Sequence, residues 1–222
     1  MTTRTIPVLL AALLLFSGCN RRLRWDYRDD PYLGQYAAMG EAECIRRLDS
    51  VYDDDRIVAL RVLAEISADY RRKGDVDEAE RVVGLILKRY EREPSQAVRR
   101  SVVALCLPVC GVGSERTKDF LRGRLAAGEF AGEAALALAA LSPEGVFEDL
   151  EPLTRHPSAD IRYRGAVALT VVGDARGVEG VRRVLLDMES GDGWPKRIDG
   201  MSLSEARSGL ETRANRAFGP VW

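Results

Sequence analysis

The chain has 222 residues with 33 basic against 34 acidic side chains, one His and four Cys, and a net charge of −1 at pH 7. Charge so evenly balanced gives no overall field to draw in nucleic acid or an acidic substrate, so no nucleic-acid partner is expected. The single His, His156, excludes the paired-His zinc motifs and makes any His-based relay depend on one residue.

The first element is an address. Arg4 and the α-amino group precede an uncharged run from Ile6 to Phe16, and small residues then lead to Cys19, the three-part pattern of a secretory signal. The run is shorter than the ~17 to 25 apolar residues of a stable membrane span. Leu15-Phe16-Ser17-Gly18-Cys19 resembles the lipobox of bacterial lipoproteins, with Phe16 where Leu is most usual. That resemblance implies cleavage after residue 18, lipidation of Cys19, and a protein held to the membrane by its acyl chains while facing the periplasm of the bacterial cell envelope. Asn20, where an inner-membrane retention signal would have Asp, tilts the expectation toward the outer membrane. Arg21, Arg22, Arg24 and Arg28 follow the apolar run, and positive charge is disfavoured on the translocated side. A plain secretory signal or a stalled anchor is therefore the alternative.

Residues 19–34 read as a polar linker, and residues 35–92 as irregular helical hairpins. Cys44, Ile45, Leu48, Val51 and Tyr52 mark one helix that ends at Asp53-Asp54-Asp55. Two more follow, carrying Val58, Leu60 and Leu63, then Val82, Val83, Ile86 and Leu87, with a turn near Lys73-Gly74-Asp75. The offsets of Ile66, Ser67, Tyr70, Gly74 and Ala79 resemble a tetratricopeptide hairpin; an irregular capping unit is the other reading.

Residues 93–188 repeat. Val98, Val102, Leu105, Cys106 and Val109 form one helical face; Phe130, Ala134, Ala137, Leu138 and Leu141 form a second, and Ile161, Gly165, Ala168, Leu169 and Val172 a third. Spacing of this length indicates stacked supersecondary units. Glu93-Pro94-Ser95-Gln96-Ala97-Val98-Arg99 aligns with His156-Pro157-Ser158-Ala159-Asp160-Ile161-Arg162, which places Pro in the first turn and Ser as a cap. Each first helix breaks, at Gly111 to Ser114, Ser142-Pro143 or Gly173-Asp174, and a second apolar-faced helix follows. A hairpin of this kind cannot cover its own apolar face, so neighbours must stack. In residues 189–222, Gly191-Asp192-Gly193-Trp194-Pro195 is a loop and Ser202 with Glu205 a capping box for a last helix. The terminal Phe218, Val221 and Trp222 either pack on the last hairpin or are offered to a partner.

Val98-Arg99, Ile161-Arg162 and Gly173-Asp174 resemble HEAT-repeat proteins, in which a Pro or Asp turn, then Val-Arg, then a small-residue helix ending in Gly-Asp opens each unit. The resemblance implies an all-α fold: a right-handed α-solenoid of about four to five stacked helical hairpins. It also implies that Arg99 and Arg162 bond to acidic groups of adjacent units.

Little points to chemistry. No phosphate-binding loop, dinucleotide fingerprint or nucleophile elbow is present. Cys106 stands where the neighbouring units have Leu138 and Leu169, so it reads as core rather than nucleophile. Cys44, Cys106 and Cys110 are expected as buried thiols, with one disulfide or a metal site as alternatives. His156 aligns with Glu93 and reads as a turn residue. No catalytic residue, metal, cofactor or small-molecule substrate is expected, and the chain reads as a non-enzyme. It reads instead as a membrane-tethered scaffold or adaptor for a protein partner, with Arg122, Arg124, Arg182 and Arg183 on the second helices as candidate contacts. A structural accessory subunit of an envelope assembly, or a lyase of the kind some HEAT-repeat proteins resemble, are the alternatives.

Overall fold

The computed structural model describes residues 40–219. The lipobox, Cys19, the linker, Val221 and Trp222 lie outside them. Among the described residues the protein is all-α, with ten helices and one short β-hairpin.

Helices begin where a capping or acidic residue meets the apolar periodicity. α1 spans Glu41–Arg47 and α2 Asp53–Arg72. Asp53, Asp54 and Asp55 fill the first turn of α2, where unpaired backbone N–H groups and the helix dipole favour negative charge. Gly74, at φ 86°, turns the chain into Asp75, which accepts the Glu78 N–H and caps α3, Val76–Arg92. Ser67, fully buried, donates to the Ala79 carbonyl at 2.9 Å, so α2 and α3 meet at the small residues of the tetratricopeptide-like pattern.

α4 runs over residues 96–110 and departs from the expected phase. Its middle, Val102–Cys106, is a π turn closed by the Leu107 N–H on the Val102 carbonyl. Pro108 has no N–H to continue the α ladder, and its ring clashes with the carbonyl four residues back in a regular helix; the wider turn before it relieves both. The helix neither breaks nor stays in register. Val103, Leu107 and Cys110 join Val98, Val102 and Cys106 in the core, while Leu105 and Val109, expected there, are only half-buried.

α5 spans Glu115–Ala127 and is capped by Ser114. α6, Ala131–Leu141, is Ala-rich and apolar almost all round, as suits a helix covered on several sides. α7 occupies residues 147–155, and Pro152 tightens it into a 3-10 turn over Glu151–Arg155. α8 spans Ala159–Val172, α9 Val178–Ser190 and α10 Leu203–Phe218. Between the last two, β1 (Arg197–Ile198) pairs antiparallel with β2 (Met201–Ser202). Asp199 and Gly200, at φ 51° and 82°, form the turn that suits a two-residue hairpin. Sequence periodicity misses this hairpin; the Asp-Gly pair is its one signal.

Pro94 and Pro157 stand one residue ahead of Ser95 and Ser158, not inside the first helical turns as expected; Ser95 caps its helix through the Val98 N–H, whereas the Ser158 side chain, at the matching position, makes no capping bond. The residue before a Pro is forced out of the helical region, so Glu93 (φ −75°, ψ 117°) and His156 (φ −64°, ψ 143°) end the preceding helices in extended backbone. Each Pro therefore stops one helix as much as it starts the next.

The even-numbered helices pack in sequence, α2 on α4, α4 on α6, α6 on α8 and α8 on α10. The odd-numbered ones flank that layer, α3 on α2, α5 on α6, and α7 and α9 on α8. An ion ladder ties the layer together. Arg164 of α8 reaches Glu133 of α6 at 2.6 Å and Asp199 of the hairpin at 2.6 Å, and Arg100 of α4 reaches Glu133 at 3.3 Å. The Arg164 stem crosses Gly132, where an added Cβ would collide with its Cδ.

Candidate functional site

Two places in the molecule are built on the same template, and one of them is left open. The Glu93 and His156 turns lie 63 residues apart, and that interval also relates the helix ends that follow: Gly128 and Gly191, both left-handed at φ 71° and 72°, close α5 and α9. At each turn the side chain before Pro accepts the N–H of the Ser two residues on, through Glu93 Oε1 at 3.0 Å from Ser95 and through His156 Nδ1 at 3.0 Å from Ser158. His156 is thus a turn acceptor. Two side chains of different chemistry fill one local role.

At the first place the space between units is filled. The rings of Tyr90 on α3 and Phe120 on α5 meet edge to face at 4.9 Å. The Arg124 guanidinium lies over both, 5.7 and 5.2 Å from their centroids, a favourable placement against the ring quadrupoles. Glu129 then accepts Arg124 at 2.7 Å and Arg99 at 2.9 Å, so Arg99 of α4 bonds to an acid just ahead of α6. Behind the turn, Glu93 is buried and takes Arg56 through two nitrogens, at 3.1 and 3.0 Å, and Arg89 at 2.9 Å.

Sixty-three residues on, Tyr90 becomes Leu153, Phe120 becomes Arg183, Arg124 becomes Asp187 and Glu129 becomes Asp192. Both rings are lost, and a cleft of about 410 Å³ opens between the α7–α8 turn and α9, lined by Arg155, His156, Arg162, Arg183, Asp187 and Asp192 among others. Arg162 bonds to no acid there. It donates to the carbonyls of His156 and Pro157 at 3.0 and 2.9 Å, and its guanidinium stacks on Trp194 at 4.7 Å. Arg183 makes no hydrogen bond among the described residues; its nearest carboxylate, Glu151, is 3.8 Å away and already bound by Arg155 at 2.8 Å.

Compared with known proteins, the chain matches no family model, no curated sequence and no solved structure.

The four arginines singled out from sequence do not share one patch. Arg122 is tied to Asp149 of α7 at 3.0 Å and Arg124 is built into the filled site, whereas Arg182 is exposed without an ion pair among the described residues. Only Arg183 lines the cleft. Sequence reasoning missed Arg155, Asp187 and Trp194 and took Arg162 as a structural Arg paired to an acid. Carrying the 63-residue alignment past the helix entry into α9 exposes the Phe120-to-Arg183 change.

The buried thiols do not add chemistry. Cys44, Cys106 and Cys110 are free and buried. Burial pushes the Cys110 thiol up to about 12 and Cys106 higher still, so neither supplies a thiolate at neutral pH. No group of His, Cys, Asp or Glu among the described residues is arranged to hold a metal ion.

Proposed function

We propose that the protein is a lipoprotein of the bacterial cell envelope whose helices form a HEAT-like α-solenoid, tethered through Cys19, that serves as a non-enzymatic scaffold for a protein partner. The observation that carries this reading is the repetition at one interval of both the Pro-Ser turn and the Gly-closed second helix, together with the packing of each even-numbered helix on the next. Stacked units of this type expose an extended side that compact folds lack, and partners commonly use it. No described helix is long and apolar enough to cross a membrane, so attachment in this reading falls to the acyl chains, each buried CH₂ contributing about 0.8 kcal/mol.

The test has two arms. Cys19→Ser is expected to abolish acylation and to change the mature mass, by leaving the signal uncut or by releasing an unacylated chain from the membrane fraction; unchanged partitioning and unchanged mature mass would rule out the lipid anchor. Crosslinking in intact cells, followed by mass spectrometry of the adducts, is expected to recover one recurrent envelope protein. Recovery of none above background rules out the scaffold.

A further inference from the structure

The second of the two related sites is short of a carboxylate. In the filled site every guanidinium has an acid or a ring: Arg99 and Arg124 share Glu129, and Arg124 also covers Tyr90 and Phe120. In the cleft, Arg183 takes the place of Phe120 and brings a positive charge where an apolar ring had been. Asp192, at the Glu129 position, has one CH₂ less than Glu and bridges neither Arg162 nor Arg183 within ion-pair distance. Arg162 is held by two carbonyls and by Trp194, interactions that fix its plane without neutralising its charge.

A further donor stands beside them. Because His156, which lines the same cleft, accepts the Ser158 N–H at Nδ1, the proton of its neutral imidazole is on Nε2. The lining of this open volume of about 410 Å³ thus includes Arg162, which has no ion pair among the described residues, Arg183, whose one carboxylate, Glu151, is 3.8 Å away and shared with Arg155, and the His156 imidazole. Asp187 and Asp192 line the same cleft, and neither side chain is paired within the described residues. They disfavour a densely anionic guest such as a phosphate cluster or nucleic acid, and they favour one that carries a cation next to its anion.

We propose that this cleft binds a carboxylate side chain of a protein partner, presented between Arg162 and Arg183 with a basic residue beside it that meets Asp187 or Asp192. The guest completes in trans the Arg–carboxylate–Arg arrangement that Glu129 completes in cis one site earlier. This deepens the scaffold reading and rests on it, since it names the chemistry and the place of the contact. A paired guanidinium and carboxylate form the strong, directional kind of hydrogen bond, which suits a small cleft better than area burial does.

The probe is a fluorescein-labelled peptide of alternating Glu and Lys, capped at both ends, added to the full-length lipidated protein in detergent and followed by anisotropy. Binding is expected, with the matching Gln/Lys peptide at least about tenfold weaker, since charged hydrogen bonds are lost. Arg183→Gln is expected to weaken the Glu/Lys peptide by a similar factor while the melting temperature holds, and Arg122→Gln is expected to leave binding unchanged. A neutral peptide ending in a free carboxylate, included as a separate arm, should bind less well than the Glu/Lys peptide; stronger binding would move the site to chain ends and overturn the side-chain proposal. Equal affinity for Glu/Lys and Gln/Lys peptides, indifference to Arg183→Gln, absence of binding, or displacement by inorganic phosphate would each overturn it. A photocrosslinking residue at Ser190 in the cleft and another at Lys118 on α5 separate the two claims. Adducts at Lys118 but none at Ser190 sink the cleft and spare the scaffold, and adducts at neither sink the scaffold.

Discussion

The Glu93 and His156 turns are near-copies in backbone and opposites in energetics. Both place an acceptor over the N–H of the Ser two residues on at 3.0 Å, yet Glu93 is buried beneath Arg56 and Arg89, while the His156 ring has no charged partner among the described residues and His156 lines a cleft. The two turns share the Pro and the acceptor bond to the Ser N–H, and the remaining capacity of the acceptor serves stability in the first and carries no ion pair in the second. A charged acceptor in the interior must collect counter-charges, which locks the units on either side together. A neutral acceptor has no such requirement, so the neighbouring side chains are released.

The largest test of that contrast is Glu93→Gln set against His156→Ala. Removing the Glu93 charge leaves Arg56 in the interior with Asp53 as its one remaining carboxylate and the Ser50 carbonyl beside it, and is expected to lower unfolding stability by about 3 kcal/mol in a urea titration. His156→Ala loses one backbone-to-ring hydrogen bond, about 1 kcal/mol. Losses of equal size would show that the two turns are energetically alike.

A smaller effect separates the sites behind them. Phe120→Ala removes a half-buried ring from Tyr90 and Arg124 and should cost about 2 kcal/mol, whereas Arg183→Ala should change stability by less than about 0.5 kcal/mol. Thermal unfolding of the two variants side by side reads this directly, and a large loss for Arg183→Ala would mean that the cleft is a packed part of the fold.

The smallest effect is one of pH. Burial holds the Asp160 carboxyl above its ordinary value of 3.8, in spite of Arg164 at 3.3 Å, and the aligned residue of the first unit is Ala97. A folded pKa above the unfolded one favours the fold when protonated. That contribution is present below the ordinary value and is lost as pH rises through the raised one. Asp160→Asn is therefore expected to flatten the stability profile in that window. An unchanged slope would show that Arg164 fully offsets the burial.

How much of this was readable beforehand follows from the range of each signal. Helix ends were legible because Pro-Ser, Lys-Gly-Asp and Ser-x-x-Glu act within a few residues of themselves: Ser95, Asp75 and Ser202 are the caps they announce. The phase of α4 was not, since Val103 and Leu107 are as apolar as Leu105 and Val109, and only Pro108 decides among them through a turn that lies ahead of it. The cleft was not, because its opening depends on changes at residues 153 and 183, which are far apart in sequence and meaningful only against Tyr90 and Phe120. An Arg on a second helix looks the same whether it is stacked on rings, as Arg124 is, or makes no hydrogen bond among the described residues, as Arg183 does. Pairing with Asp149 likewise accounts for Arg122 only once α5 and α7 lie side by side.

The π turn in α4 has a consequence for how this chain tolerates change in length. α8 has 14 residues, and α4, which runs over residues 96–110, has one more, lodged where the ladder widens at Val102–Cys106. The surplus residue is thus stored within a helix, and not in a loop where length variation is usually absorbed. Loss of a single residue there, together with Pro108→Ala, would return α4 to a regular helix without moving either end. One helix of the layer therefore carries a built-in allowance for a one-residue deletion, at the place where a packed core is ordinarily least forgiving.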